Sequence, residues 1–153
     1  VHAAAGGAAA TTSVDLSKTY LEWARQNLDL NGFPPGRHEL VHADCLAWLS
    51  EAAGRMPGAF DLVFLDPPTF SNSARMEGVL DVQRDHVRLV DDCMRLLAPG
   101  GLLLFSNNAQ RFQLDAGLRQ RYAVTDITQA SLPFDFRQNP RIHRCFEIRR
   151  PQG

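Results

Sequence analysis

No stretch of this sequence approaches the ~18–20 consecutive apolar residues that a membrane span needs, so no bilayer is expected among its partners. Cysteine is scarce: Cys45, Cys93 and Cys145 stand far apart and form no CxxC pair. An odd, scattered set argues against a disulfide framework and against a zinc site. No metal is therefore expected, and a reducing cytoplasm is the expected setting. Residues 1–10 are small and apolar but lack both a basic flank and a long apolar core, so they do not read as a signal peptide. Charge of one sign is also missing. A net of −1 over 153 residues does not by itself advertise a nucleic acid.

What is present is an ordinary globular composition, 44% apolar and 22% charged, in a length that suits one domain, here residues 1–153. The charge is unevenly spread. Residues 111–150 hold eight arginines (111, 119, 121, 137, 141, 144, 149 and 150) against Asp115, Asp126, Asp135 and Glu147, a local net of +4. Such a stretch is either a solvated face or a surface for phosphates.

Strand-like and helix-like segments alternate along the chain. Thr11–Asp15 is short and β-branched. Ser17 is placed to cap a helix running to Asn31, with Tyr20, Leu21, Ala24 and Leu28 as its buried stripe. After the breakers Gly32, Pro34, Pro35 and Gly36, residues 39–42 read as a strand, and Asp44 opens a helix that buries Leu46, Leu49 and Ala53. Phe60–Leu65 is almost continuously apolar, the pattern of a central parallel strand covered on both faces. A loop through Ser71, Asn72 and Ser73 leads to a helix over 82–97, burying Val87, Val90, Met94 and Leu97. Pro99-Gly100-Gly101 ends it, and 102–105 forms the next buried strand. Residues 111–121 read as helix. Residues 124–128 and 144–148 read as a closing antiparallel pair joined by a long loop with Pro133 and Pro140. Alternation of this kind predicts a Rossmann-like α/β fold, its sheet mostly parallel with an antiparallel hairpin at the end.

The strongest chemical signal is Asp66-Pro67-Pro68-Thr69-Phe70. Two prolines fix their φ angles and remove two backbone donors, which makes a rigid loop at the carboxyl end of a strand. In an open α/β sheet that end faces the ligand crevice. Asp66 offers an acceptor there, and Phe70 can stack on a flat base; the bland alternative is a proline loop that merely ends a strand. Asp15 ends the first strand, where a carboxylate can take both hydroxyls of a ribose, or can simply cap the helix beside Ser17. Asp44 follows the next strand. It can accept an adenine amino proton while the Cys45 N–H meets a ring nitrogen, or it can act only as an N-cap. Three acids at three successive strand ends outline one crevice. Ser106-Asn107-Asn108 borders the same crevice, with amides suited to a base edge or a ribose, or to an ordinary polar strand end. The cysteines read as packing residues, and His143 as either a loop histidine or a functional one.

The block VDLSKTYLEWARQNLDLNG, followed by ADCLAWL, FDLVFLDPPTFSNSARMEGVLDVQRDH, LLAPGGLLLFSNN and RQNPRIHRCFEI, resembles bacterial large-subunit ribosomal RNA methyltransferases. Within them it is most similar to the carboxy-terminal catalytic domain of the bifunctional enzymes that form N7-methylguanine in 23S ribosomal RNA. The resemblance covers essentially the whole chain. It implies a class I methyltransferase that uses S-adenosyl-L-methionine. Asp15 and Leu16 would hold its ribose, Asp44, Cys45 and Leu46 its adenine, and Asp66 would border it. Asp66, Pro67, Pro68 and Phe70 would form the target-base site. The implied partner is 23S ribosomal RNA, with Asn107, Asn108, Arg111, Arg137, Arg141 and His143 as its candidate contacts.

Relatives that methylate cytosine at C5 use a cysteine after a neighbouring strand, and here Ser106-Asn107-Asn108 stands there instead. Domains of this class also begin with a strand and a tight loop around the methionine portion of the cofactor. Residues 1–5 resemble the tail of the helix that follows that loop, with Gly6-Gly7 as its stop. The expectation is therefore an N-terminally truncated domain, its first strand and cofactor loop in a preceding portion of the same polypeptide. That portion would carry a second methyltransferase and an RNA-binding module. Two other readings remain open from the residues: an inactive RNA-binding or assembly module, and an NAD-dependent oxidoreductase, which Asp15 would also serve but in which DPPTF has no role.

Overall fold

Capping residues set the first elements. In the computed structural model, which describes residues 1–71, 79–136, 139 and 142–151, helix α1 (His2–Ala5) stops at Gly6, and Gly7 follows at φ 94°. Strand β1 (Thr11–Asp15) leads to Ser17, whose Oγ accepts the Tyr20 N–H at 3.3 Å and opens α2 (Lys18–Leu30). Strand β2 (His38–His42) pairs in parallel with β1, Thr11 beside His38 through Asp15 beside His42. Helix α3 (Cys45–Arg55) follows, with Leu49, Ala52 and Ala53 buried. The chain divides into two compact units, Val1–Trp48 and Leu49–Gly153. Leu28 and His38 are buried in the first, and His38 Nδ1 lies 3.0 Å from Thr11 Oγ1. Tyr20 departs from the expected buried stripe. It sits at the margin of the face centred on Leu21, Ala24 and Leu28, and is exposed, tilted against Trp23 at 5.6 Å between centroids.

The second unit is built on a four-stranded sheet. Strand β3 (Phe60–Leu65) is followed by a small antiparallel hairpin, β4 (Phe70–Ser71) with β5 (Leu80–Asp81), which the sequence did not announce. Asn72 and Ser73 lie outside the described residues. Helix α4 (Val82–Leu96) is capped by Asp81, whose Oδ1 accepts the Arg84 N–H at 3.1 Å. Strand β6 (Leu97–Asn107) runs parallel to β3. Helix α5 (Ala116–Arg121), strand β7 (Ala123–Asp126), helix α6 (Thr128–Ser131), a 3-10 turn (Phe134–Phe136) and strand β8 (Arg144–Arg149) complete it. The sheet order is β3-β6-β8-β7, with β8 antiparallel to both neighbours. Leu103, Phe105, Phe146 and Ile148 of this sheet are buried, as are Leu89, Val90, Cys93 and Met94 of α4.

Three expectations change here. Pro99-Gly100-Gly101 does not separate helix from strand but lies inside β6, where pairing jumps from Phe60–Leu97 to Leu62–Leu102. Gly100 takes φ 80°, and a Cβ on Gly101 would come within 3.0 Å of the Ala98 carbonyl oxygen, so the bulge needs both glycines. The helix expected over 111–121 begins only at Ala116. The preceding residues are committed elsewhere: Phe112 is buried, and the Asp115 N–H donates to His86 Nε2 at 3.0 Å. Finally, β3 is not covered on both faces. It pairs only with β6 among the described strands, and Phe64 is 63% exposed, with Leu62 half exposed. A continuous apolar run records which strand is apolar, not how many neighbours cover it. No helix among the described residues is long and apolar enough to cross a membrane.

Candidate functional site

In the first unit the parallel pairing of β1 with β2 carries two acids to neighbouring strand ends. Asp15 closes β1 beside His42, and Asp44 follows β2 by two residues. Each carboxylate is half committed locally. Asp15 Oδ1 accepts the Ser17 N–H at 2.7 Å, and Asp44 Oδ1 accepts those of Leu46 and Ala47 at 2.8 and 3.2 Å. The helix-capping alternative for both acids is thus real. It uses one oxygen of each, and the two Oδ2 atoms have no hydrogen-bond partner among the described residues. The Leu16 carbonyl is taken by His42 Nε2 at 3.0 Å.

Cys45 is exposed rather than packed, although its sulfur is tucked beneath Val14, whose carbonyl accepts from Sγ at 3.3 Å. That partial burial pushes the thiol up from its ordinary value, and Asp15 and then Asp44 push it further. Two carboxylate oxygens left open at neighbouring strand ends suit the hydroxyls of a ribose and the amino group of an adenine, which are donors. An anionic group would be repelled there. The residues present therefore fit the nucleoside part of S-adenosylmethionine. An open pocket of about 750 Å³ elsewhere in the unit is lined by Lys18, Glu22, Arg25, His38, Glu39 and His42, and includes neither acid.

In the second unit the sheet register gathers a different set. Leu65 lies beside Phe105, Asn107 beside Arg144 and Asp126 beside Phe146. The carboxyl ends of β3, β6 and β7 and the amino end of β8 thus share one end of the sheet. Asp66, exposed and without a hydrogen-bond partner among the described residues, leaves β3 there, followed by Pro67, Pro68 and the exposed ring of Phe70. The Thr69 carbonyl accepts the Val82 N–H at 3.2 Å, which ties the loop to the start of α4. Asn107 is fully buried. Its Oδ1 accepts the Ala109 N–H at 3.1 Å, while Nδ2 has no acceptor among the described residues. Buried polar groups are nearly always paired, so such a donor is unusual. Asn108 and Arg111 are exposed.

His143 is partly buried at the same end, its Nε2 3.0 Å from Ser131 Oγ. Arg137 and Arg141 lie outside the described residues. Of the other arginines in the basic stretch, Arg121 is bound to Asp91, Arg149 to the Gly100 carbonyl and Arg150 to the Met94 carbonyl, so three of them serve the fold. Arg144 opens β8 opposite Asn107 and has no acidic partner among the described residues. Sequence reading counted its charge but could not place it, because the antiparallel register that sets it there is not a local property. Cys145 packs as expected. Burial raises its thiol, a hydrogen bond with Ser131 opposes this, and the charge of Asp66 adds to the rise. Cys93, on the buried face of α4, is pushed up to about 12 by that burial.

A family model described as S-adenosylmethionine-dependent methyltransferase matches residues 1–136. The "Ribosomal RNA large subunit methyltransferase K/L" of Hahella chejuensis is 59% identical over 149 residues, and that of Pseudomonas aeruginosa 60% over 148. Each match covers 97% of this chain but 20% of the relative, so the chain spans about a fifth of the length of the curated relatives it matches. Among solved structures, a methyltransferase complexed with SAH superposes with a TM-score of 0.76 at 26% identity, covering 95% of this chain and 40% of that one. A SAM-dependent methyltransferase from Agrobacterium tumefaciens, at 22% identity and a TM-score of 0.69, covers 98% of this chain and 51% of that one and shows the same fold. The alternation of strands and helices, the strand-end acids and these matches agree, and the chain belongs to the S-adenosylmethionine-dependent methyltransferases.

Proposed function

We propose that this chain is a catalytic domain that methylates a guanine of 23S ribosomal RNA at N7, both compact units being parts of that one domain. The preceding portion of a longer polypeptide would supply the rest of the cofactor site. The observation that carries the reading is the composition of one sheet end in the second unit: an exposed acid without a partner among the described residues, a rigid proline pair and an exposed aromatic ring. Bound S-adenosylmethionine supplies a sulfonium methyl, an electrophile that an unprotonated ring nitrogen takes without help from a base. Guanine N7 is such a nitrogen, and no cysteine stands at this sheet end in position to attack a pyrimidine: Cys145 is buried and its thiol is raised.

The protein's task then reduces to orientation and charge. In the first unit, Asp15 and Asp44 accept from the nucleoside through their free oxygens. In the second, Phe70 stacks on the base and Pro67-Pro68 hold the loop carbonyls rigid. Asp66 faces the positive charge that the purine acquires on N7-methylation. Asn107, fully buried, holds the chain after β6 through the Ala109 N–H, while the exposed Asn108 and Arg111 and the partly buried His143 lie toward the surrounding RNA.

The test is single-turnover methyl transfer by the full-length protein to unmodified 23S ribosomal RNA. Asp66→Ala and Phe70→Ala should each abolish or severely slow transfer without lowering the melting temperature, the Phe70 change costing about 1–3 kcal/mol of stacking. Rates within about twofold of wild type for both variants would remove this loop from the mechanism.

A further inference from the structure

Two arginines from distant parts of the chain meet at the sheet end that carries Asp66. Arg111 stands at the tip of a tightly held turn after β6. The Ala109 carbonyl accepts the Phe112 N–H at 3.0 Å. Gln83 of α4 clasps Gln113: its Oε1 accepts the Gln113 N–H at 2.8 Å, and its Nε2 donates to the Gln113 carbonyl at 2.9 Å. Phe112 is buried, and the turn leaves Arg111 exposed beside it. Arg144 opens β8, where the Cys145 N–H donates to Thr128 Oγ1 at 3.1 Å. In the β6–β8 register Arg144 lies opposite Asn107, and Phe146 opposite Phe105. Arg144 therefore shares the face of these two phenylalanines, one two-residue step of about 7 Å nearer the sheet end. The Phe112 and Phe146 rings are 6.2 Å apart on that face, a contact that brings Arg111 and Arg144 to neighbouring positions. Neither arginine has an acidic partner or a hydrogen-bond acceptor among the described residues.

Charge and position indicate the ligand. Two like charges held side by side disfavour the folded state. Three other arginines of the same stretch avoid this, since Arg121, Arg149 and Arg150 each have an acceptor. A pair of guanidinium forks on two rigid segments suits the oxygens of an anion, above all a phosphate. Asp66 and Phe70 follow β3, two strand spacings from β8, about 10 Å, roughly the rise of three stacked nucleotides. A phosphate between the arginines thus belongs within a few nucleotides of a base held at β3. The chain as a whole carries a net charge of −1, so its attraction for RNA is local rather than general. We propose that Arg111 and Arg144 grip one backbone phosphate of the RNA strand beside the target nucleotide. The grip fixes the strand's position and leaves the chemistry to the loop from Asp66 to Phe70. The proposal rests on the RNA-methylating reading above and adds to it the phosphate that this sheet end holds.

The experiment measures binding of the full-length protein to an RNA fragment containing the target over a range of salt concentrations. Arg111→Gln and Arg144→Gln should each weaken binding by about ten- to hundredfold at fixed salt, the range of a lost charge-assisted hydrogen bond. The double variant should flatten the plot of log affinity against log salt by about 0.7 in all, the share of one phosphate on a single strand. Arg144→Lys should keep the slope and part of the affinity. Arg119→Gln removes an exposed charge of the same stretch from α5 and should change neither. A neutral methylphosphonate at one linkage beside the target should weaken binding to wild type and cost the double variant nothing further. Cofactor affinity, melting temperature and transfer at saturating RNA should stay as in wild type. An unchanged slope in the double variant, twice the expected flattening, or equal losses for both proteins at every methylphosphonate linkage would overturn the shared phosphate while leaving guanine methylation intact. Weakened binding of S-adenosylmethionine with RNA binding unchanged would assign the pair to the cofactor's carboxylate and overturn it too. Failure of the wild type to methylate guanine in any RNA would sink the underlying reading as well.

Discussion

Asp15 shows how one carboxylate serves fold and ligand together. Its Oδ1 fixes the turn into α2 through Ser17, and its Oδ2 remains for a hydroxyl. Asp15→Asn keeps an oxygen for Ser17 but removes the charge. Hydrogen bonds to charged groups contribute about 1.5–3 kcal/mol, so the variant should bind S-adenosylmethionine about tenfold or more weakly with its melting temperature little changed. Calorimetry on the full-length protein measures this, and an unchanged dissociation constant would leave Asp15 a helix cap only. Cys45 reports on the same place. It is the one exposed cysteine, yet burial of its sulfur and the two acids raise its thiol, so it holds less thiolate at pH 8 than an ordinary cysteine. Iodoacetamide should label it slowly at pH 8 and faster as the pH climbs past 9, with bound S-adenosylhomocysteine protecting it; rapid labelling at pH 7 would contradict this. Both acids were legible in the sequence because a strand end followed by a helix is a local pattern. The donor of Asn107 left open among the described residues was not, since it depends on what three strands and a loop leave unpaired around it.

At the scale of elements, α4 is held at its start by reciprocal bonds. Asp81 Oδ1 accepts from Arg84, and Asp85 Oδ2 accepts the Asp81 N–H at 2.9 Å. Asp81→Ala should cost about 1 kcal/mol in chemical denaturation. The Arg84 guanidinium, hydrogen-bonded to Asp85, holds that carboxyl below the usual carboxylate range. A depressed folded-state pKa gives stability that is present above the ordinary carboxylate range and lost as the pH falls through the folded value. The stability difference between wild type and Asp85→Asn should therefore shrink below about pH 4, and a constant difference from pH 7 to 3 would contradict that origin.

His86 ties α4 to the loop before α5, with Nδ1 2.9 Å from the Gln83 carbonyl and Nε2 accepting from Asp115. His86→Phe keeps a ring against Phe105 and Phe112 but strands the Asp115 N–H, and should cost about 1–3 kcal/mol by thermal melt. Helix α4 was legible from its periodicity. The short α5 was not, because residues 111–115 are claimed by the buried Phe112 and by His86, contacts from a distant part of the chain.

For the molecule as a whole, the order of strands and helices could be read from periodicity, and the family from motifs. The open edge of β3 follows from a domain without its first strand, but the exposure of its faces could not be read, since its apolar run suggests cover on both. Its exposed Leu62 and Phe64, on a strand paired along one edge among the described residues, are a surface for self-association. The 153-residue chain on its own should associate in sedimentation velocity, and Phe64→Lys should reduce that association; a monodisperse monomer at high concentration would contradict it. The central claim concerns chemistry rather than assembly. It is tested most directly by carrying labelled methyl from S-adenosylmethionine to unmodified 23S ribosomal RNA with the full-length protein, then digesting the product and identifying the labelled nucleoside. The account predicts label in N7-methylguanosine, lost in Asp66→Ala while cofactor affinity is kept. Label in a methylated cytosine, at another position of guanine, or undiminished in Asp66→Ala would contradict it.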